Sequence, residues 1–376
     1  MTDTSSTSAW KRPATSFHAH FDCFSGAAGD MLLASCLDAS GEPEELLQHV
    51  TNCICLGMPE LDGEFSIETK RVWRGGMGKI AGLHVRVHSK YHHHPAPVPD
   101  KRRKTNKSID DGSPSMEASQ SHDHSHHHEH AHDHTHSHTH AHEHAHCQVE
   151  ETFPSQSHSH SHEHGHKHPG DDTGIRGPLR NLPQIQKLLK DASEDYIDNW
   201  VKQLAIIAFT ELAKAEATTH GADGIDNVHF HEVGAVDSIV DTVGTLIALH
   251  ALNVTSVTCS RLPIGEGTVW TAHGCLPVPA PATLLLLVDL PTCPGPLGIV
   301  TGELVTPTSA ALLRALTFHC IPPLKLPSEE QKRLFIQQGR PPSFTIRKIG
   351  VGAGSKDFEK HPNILRLLLG DTIVAK

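Results

Sequence analysis

A histidine-rich tract divides this chain and limits what it can fold into. Of the 35 histidines in 376 residues, 23 lie between His92 and His168, alternating with Ser, Thr, Asp, Glu and Ala. No apolar pattern there can build a core, so the tract is predicted to be disordered. The predicted organisation is a disordered N-terminus at 1–16, an α/β unit at 17–88, a disordered linker at 89–177, a second α/β unit at 178–370 and a tail at 371–376.

Composition excludes several classes of partner. The net charge of −11 with neutral histidines gives no basis for nucleic-acid binding. No apolar run reaches the roughly 18 residues that a membrane-spanning helix needs. The nine cysteines are odd in number and no signal peptide precedes them, which favours reduced thiols in a cytoplasmic protein. Cys53 and Cys55 do not form a CxxC motif, so no zinc site is predicted from them.

The histidine-rich tract is also predicted to bind metal ions. Neutral imidazole suits nickel, copper, zinc and cobalt, and two to four ligands per ion would let the tract load on the order of 5 to 10 ions. The alternative is a solvated low-complexity linker with incidental metal affinity. The linker histidines singled out as ligands are His122, His124, His126, His130, His132 and His134.

A second candidate metal site lies in the motif HFHEVGAVDSIVDTVG, residues 229–244. Two histidines two residues apart leave the same face of an extended backbone, and two aspartates four apart share one face of a helix. Nitrogen and oxygen donors in this pattern suit a divalent ion. The alternative is a helix N-terminus with capping acids and hydrogen-bonded core histidines. The candidate ligands are His229, His231, Glu232, Asp237 and Asp241.

Two helix starts are predicted to bind phosphate or another anion. The first follows a strand near 18–24, where a small-residue turn opens a helix, and the second is a helix with Pro307 at its first position. The alternatives are a tight glycine turn and an ordinary well-capped helix. The candidate binding residues are Ser25, Gly26, Gly29 and Asp30 at the first start, and Thr306, Thr308 and Ser309 at the second.

Two further residues are candidates for ligation or proton transfer. His273 precedes a glycine in a proline-stiffened loop, although a lone loop histidine is more often only hydrogen-bonded. Glu303 stands beside the second helix start. Alternation at 65–72 and 80–87 predicts two paired strands, and apolar residues at helical spacing predict a helix from about 194 to 219 that ends at Gly221. Alternating strand and helix signals along the ordered segments, including two final strands around a glycine loop, predict a mixed α/β fold.

With these motifs placed, the chain resembles the LarC family of nickel insertion proteins. The resemblance covers nearly all of residues 17–370. It is carried by FDCFSGAAGDMLLASCLD, HFHEVGAVDSIVDTVG, AHGCLPVPAPATLLLL, GELVTPTSAALL and GVGAGSKDFEKHPNILRLLLG, with the histidine-rich insertion in the expected place.

The resemblance implies a reaction and its participants. It implies insertion of Ni²⁺ into pyridinium-3,5-bisthiocarboxylic acid mononucleotide, with CTP consumed, Mg²⁺ or Mn²⁺ as an additional ion, and a racemase or epimerase as the client enzyme. Forming a nickel–carbon bond requires loss of a ring proton, so a general base and a positioned metal are both needed. On local chemistry, His273 or Glu303 is the predicted proton carrier.

One departure from the family keeps other functions open. Family members usually continue into a small C-terminal domain associated with CTP, whereas this sequence stops at Lys376. Either another chain supplies that domain, or this protein is not a complete insertase. The first alternative is a non-catalytic nickel storage or delivery protein, and the second is a metal-dependent hydrolase. Homo-oligomerisation is also left open.

Overall fold

The computed structural model describes residues 10–90, 180–228, 230, 235–271, 274–296, 300–319 and 339–372. In chain order, the first ordered segment contains β1 (Phe17–Asp22), α1 (Gly29–Ser40), α2 (Pro43–Gly57), β2 (Phe65–Arg74) and β3 (Ile80–Ser89). The second contains α3 (Leu182–Asp191), α4 (Asn199–His220), α5 (Val236–Ala251), β4 (Val254–Cys259), β5 (Leu262–Ile264), β6 (Thr268–Thr271), β7 (Gly274–Pro277), α6 (Pro281–Leu286), β8 (Thr292–Pro294), α7 (Pro307–His319), β9 (Phe344–Ala353) and β10 (Ile364–Thr372).

One mixed sheet joins the two ordered segments of the chain. Its strand order is β2-β3-β9-β10-β1-β4. Strand β1 lies between β10, which is antiparallel to it, and β4, which is parallel to it. The described residues before and after the linker therefore belong to one compact unit. This arrangement confirms the predicted mixed α/β fold and shows that the two segments share a sheet.

Helix α1 packs so closely against β9 that the two backbones are in contact. A Cβ atom added at Gly350 would lie 2.0 Å from the carbonyl oxygen of Ser35, and one added at Gly352 would lie 2.1 Å from that of Met31. Only glycine allows this approach. Because β9 runs under α1, the loop that follows β9 reaches the N-terminal end of the helix, where the candidate site lies.

The core forms where apolar faces of α1 and α5 meet the sheet and α2 packs against these two helices. Fully buried side chains include Phe21 of β1, Leu33 of α1, Ile54 of α2 and Val243 of α5. Burying side chains of this size contributes about 1.5–3 kcal/mol each relative to exposure. The N-terminal ends of α1 and α5 are held in place by this packing.

Most predicted elements are confirmed, with shifts at their ends. The strands expected at 65–72 and 80–87 pair antiparallel as β2 and β3. The helix expected from 194 starts later, as α4, because Asp198 caps it by accepting a hydrogen bond from the Trp200 N–H at 2.8 Å. Helix α4 ends at Gly221, as predicted, in the left-handed conformation with φ of 61°. No helix in the described part of the chain is long and apolar enough to span a membrane.

Candidate functional site

The two predicted anion-binding helix starts lie side by side. The Ala27 N–H donates to the Leu304 carbonyl at 2.9 Å, and the Thr306 N–H donates to the Ala27 carbonyl at 3.0 Å. Gly26 adopts a φ of 116°, and a Cβ atom there would lie 2.0 Å from the Leu304 oxygen. Gly26 is thus needed to bring the N-terminal ends of α1 and α7 together.

A cavity of about 340 Å³ opens where these helix starts meet. It combines parts of the chain that are far apart in sequence: the start of α1, the second turn of α5, the loop leading into α7 and the loop after β9. The lining residues are Ala28, Gly29, Asp30, Met31, Asp241, Glu303, Leu304, Thr306, Thr308, Gly354, Ser355, Lys356 and Asn363.

Asp30 and Asp241 form an acidic pair in this cavity. The Asp241 carboxylate lies over Gly29, where an added Cβ atom would be 2.6 Å from Oδ2, so a larger residue would displace it. Asp30 Oδ1 accepts a hydrogen bond from the Met31 N–H at 2.8 Å. Asp241 Oδ1 is buried and has no hydrogen-bond partner among the described residues. A buried, unsatisfied oxygen of this kind costs free energy unless a proton or a ligand satisfies it.

Burial perturbs the titration of both acids. It raises the pKa of Asp30 to about 6, even though backbone N–H groups that bond the carboxylate act to lower it. Burial also raises the pKa of Asp241 well above its usual range, and the neighbouring charges of Asp30 and Asp237 raise it further. Two close carboxyl groups cannot easily ionise together. The pair therefore holds a proton to higher pH than two isolated aspartates would.

Lys356 and Asn363 also line the cavity. Lys356 Nζ donates to the carbonyl oxygens of Glu303 at 2.6 Å and Thr301 at 3.3 Å. Burial lowers the pKa of Lys356, while the Glu303 charge raises it. The Asn363 amide nitrogen donates to the Lys356 carbonyl at 3.0 Å. The site thus presents a cationic amine as well as two acids.

No function was predicted for Lys356 or Asn363 from the sequence. The signal that points to them is the glycine loop GVGAGSKDF, which places Lys356 just beyond a strand with little bulk around it. A Cβ atom at Gly354 would lie 2.5 Å from the Asn363 amide nitrogen. Sequence alone could not show that this loop meets the starts of α1 and α7, because that contact depends on the pairing of β9 and β10 within the sheet.

The hydroxyl groups of Ser25 and Ser309 form hydrogen bonds within the protein. The Ser309 hydroxyl donates to the Ala27 carbonyl at 2.6 Å, and the Ser25 hydroxyl donates to the Pro362 carbonyl. Both residues are buried and neither lines the cavity, which Thr306 and Thr308 do. These positions favour a structural role for both serines, where the sequence predicted contact with phosphate.

The predicted metal and proton-transfer residues are only partly described. Asp237 lies in the first turn of α5, where its carboxylate accepts the Ser238 N–H at 2.9 Å, and Glu303 lines the cavity. Within the described residues, no three His, Cys, Asp or Glu side chains are close enough together to hold an ion. The remaining candidates lie outside the described residues: His229, His231, Glu232, His273 and the linker histidines.

These features define a protein with a mixed α/β fold, in which a cavity with both acidic and cationic side chains lies where the N-terminal ends of α1 and α7 meet. The chain belongs to the nickel insertion protein family, whose model matches residues 19–376. This assignment confirms the family resemblance seen in the sequence. No solved structure matches the chain significantly.

Three bacterial relatives, each provisionally named a nickel insertion protein, illustrate the match. The protein of Geobacter sp. (strain M21) is 44% identical over 199 residues, which are 53% of this chain and 45% of the relative. That of Geotalea daltonii is 49% identical over 197 residues, 52% of this chain and 44% of the relative. That of Myxococcus xanthus is 41% identical over 194 residues, 51% of this chain and 43% of the relative. The matched region thus spans less than half of each relative.

Proposed function

We propose that this chain inserts Ni²⁺ into pyridinium-3,5-bisthiocarboxylic acid mononucleotide, and that the Asp30–Asp241 cavity is where the ring proton is removed. Family membership supports nickel insertion, and the acid pair is the observation that supports the proton-transfer role. Consumption of CTP, an additional Mg²⁺ or Mn²⁺ and the client racemase or epimerase come from the resemblance alone and belong to this proposal.

The proposed reaction exchanges one ring proton for nickel. Nickel bonds to the ring carbon between the two thiocarboxylate groups, and the electron pair of the broken C–H bond becomes the nickel–carbon bond. Asp30, with a pKa of about 6, is mostly ionised at neutral pH and accepts the proton. General bases with a pKa near the working pH contribute about 10²–10⁴-fold to rate. Asp30 therefore takes the role that the sequence suggested for His273 or Glu303.

Asp241 supports the base in this scheme. Its buried carboxyl group keeps a proton, so Asp30 has a neutral neighbour while it is ionised. Once the substrate has protonated Asp30, the repelling charge is gone, and Asp241 can release its own proton to solvent. The resulting carboxylate can attract the incoming cation. The pair thus links proton uptake to the approach of Ni²⁺, which is a substrate here.

Other lining residues suit the anionic parts of the precursor. Thr306 and Thr308 line the cavity at the start of α7, and helix N-termini favour phosphate. Lys356 adds a positive charge on the same cavity. A phosphate held there would place the pyridinium ring toward the two acids, which is the orientation that proton removal requires.

The test compares isosteric substitutions on one helix. Purified chain is incubated with precursor, Ni²⁺ and CTP, and the nickel-bound product is followed by mass spectrometry, with precursor binding measured by calorimetry. Asp30→Asn should reduce product formation by about 100-fold or more while precursor still binds. Asp38→Asn is the matched control on α1, because Asp38 lies outside the cavity and pairs with Arg71 at 2.8 Å. Absence of both nickel and precursor binding by the unsubstituted chain would overturn the proposal.

A nickel storage and delivery role is the second candidate, and the histidine tract is the observation that favours it. Storage requires many ions bound per chain without turnover. If the unsubstituted chain binds several Ni²⁺ ions, binds no precursor and forms no product, storage replaces insertion as the assigned function.

A further inference from the structure

A second cavity, of about 580 Å³, lies at the other end of α5. Asp241 is in the second turn of this helix and His250 is near its last residue, so the two sites are about 14 Å apart at 1.5 Å per residue. The side chains that matter in the second cavity are His49 and Cys53 of α2, His250 of α5, and Asp198 before α4. None of them was assigned a function from the sequence.

His49 and Cys53 already form a close donor pair. They are four residues apart on α2, so they lie on the same face of the helix. Cys53 Sγ is 3.7 Å from His49 Nε2 and 3.9 Å from Nδ1. The pair is therefore in contact before any ligand binds, and only a small adjustment is needed for sulfur and nitrogen to share an ion.

His250 supplies a third donor from across the cavity. Its Nε2 lies 3.7 Å from Asp198 Oδ2, and its ring lies 6.1 Å from that of Trp200. A carboxylate beside a histidine is the arrangement that orients the ring when the other nitrogen binds a metal. Within the described residues no three such groups yet converge on one point. Binding thus requires the His250 ring to turn toward α2.

The protonation states suit a cation. Burial, followed by the charge of His250, lowers the pKa of His49. Burial, followed by the charge of Arg12, lowers the pKa of His250, while Asp198 acts to raise it. Both rings are therefore neutral at neutral pH and have a lone pair available. Burial raises the pKa of Cys53 to about 11, so the thiol keeps its proton until a metal displaces it.

We propose that His49, Cys53 and His250 bind one divalent transition-metal ion at this cavity, separate from the acid pair. A thiolate with two imidazoles favours nickel, cobalt, zinc or copper over magnesium or calcium. When the metal–sulfur bond forms, the Cys53 thiol proton leaves to solvent, and no oxidation or reduction occurs. This inference is independent of the proposed reaction and assigns the chain a metal site in its ordered part.

The experiment uses Co²⁺ as a spectroscopic probe on the full chain carrying Cys147→Ser, because Cys147 lies within the histidine-rich tract and would add a thiolate ligand there. Imidazole ligands give no thiolate-to-cobalt charge-transfer absorption, so the near-ultraviolet band of this chain reports a cysteine ligand outside the tract. Co²⁺ is added past saturation of the tract. We expect a band corresponding to about one ion per chain.

Matched variants identify the ligands. Cys53→Ser should remove the band, and His49→Gln and His250→Gln should each weaken it severalfold. Cys55→Ser is the control, because Cys55 lies on the same helix but interacts with Asp62 instead. If Cys53→Ser does not fold, the histidine variants decide, since His49 and His250 are only partly buried. A missing band in the Cys147→Ser chain, a band that survives the addition of Cys53→Ser, or a band unchanged in both histidine variants would overturn the proposal.

Discussion

Replacing Asp30 with asparagine should make the protein more stable at neutral pH. The folded-state pKa of Asp30 is about 6, compared with 3.8 for an unperturbed aspartate, so the folded state holds this proton more tightly than the unfolded state. Stability is then lost as pH rises from about 4 to about 6, and it stays lost above that range. Asparagine has no charge to desolvate and keeps the oxygen that accepts the Met31 N–H.

The magnitude follows from the same two pKa values. Ionising Asp30 in the folded state costs about 3 kcal/mol at pH 7 and about 0.5 kcal/mol at pH 4. Partial exposure of Asp30 reduces the first figure, and loss of a negative charge at a helix N-terminus costs about 0.3–1 kcal/mol. Asp30→Asn should therefore raise the free energy of unfolding by about 1–2 kcal/mol at pH 7 and have little effect, or a small negative one, at pH 4.

Urea denaturation at both pH values measures this difference. Glu211→Gln is an opposite-sign control. Although burial raises the pKa of Glu211, hydrogen bonds from Lys214 and Arg314 lower it overall. Ionised Glu211 therefore stabilises the protein above the pKa that this residue has in the unfolded chain, and the stabilisation is lost as pH falls. Glu211→Gln should accordingly be less stable than the unsubstituted protein at pH 7 and closer to it at pH 4. The reasoning about the acid pair is refuted if Asp30→Asn destabilises the protein more at pH 7 than at pH 4.

Three further predictions concern structure and metal loading. Gly26→Ala should lower the free energy of unfolding in urea by more than about 2 kcal/mol, because the new Cβ atom would lie 2.0 Å from the Leu304 oxygen. Gly41→Ala is the control and should cost only about 1 kcal/mol, since Gly41 also has a positive φ, of 84°, but no atom lies near its Cβ position. Equal losses of stability in the two variants would contradict the close contact at Gly26. Ser309→Ala should cost about 1–3 kcal/mol in the same assay, because the buried Ala27 carbonyl loses its 2.6 Å donor; a neutral effect would show that this bond does not hold the helix starts together. Deleting residues 92–168 should leave the thermal midpoint within a few degrees and remove most bound Ni²⁺ in calorimetry, because the tract supplies 23 of the 35 histidines; unchanged nickel stoichiometry would contradict the assignment of metal loading to the tract.

The sequence predicted local structure well because local signals determine it. Pro307 at the first position of α7 and Gly221 at the end of α4 mark helix boundaries wherever the helices pack. Alternation at 65–72 and 80–87 likewise predicted two paired strands. These features depend on residues close together in the chain, so they can be recognised before the fold is known.

The site was predicted only in parts because long-range pairing assembles it. Asp30 was expected to bind phosphate and Asp241 a metal, yet the structure brings the two carboxyl groups into one cavity. Their proximity depends on α1 and α5 packing together, and that of Lys356 depends on β9 pairing with β10. Neither contact has a local sequence signal. Similarly, the sequence predicted that the Ser309 hydroxyl in the first turn of α7 would bind phosphate, but in the structure this hydroxyl donates a hydrogen bond to the Ala27 carbonyl.

The most direct test of the central claim is solvent exchange at the ring carbon between the two thiocarboxylate groups of the precursor. Precursor is incubated with the chain in deuterated buffer without nickel, and deuterium incorporation at that carbon is followed by NMR. We expect exchange with the unsubstituted chain and with Asp38→Asn, and a loss of at least about 100-fold with Asp30→Asn, because only the first two retain the base. Exchange that is equally fast in Asp30→Asn would contradict the assignment of proton removal to the Asp30–Asp241 pair.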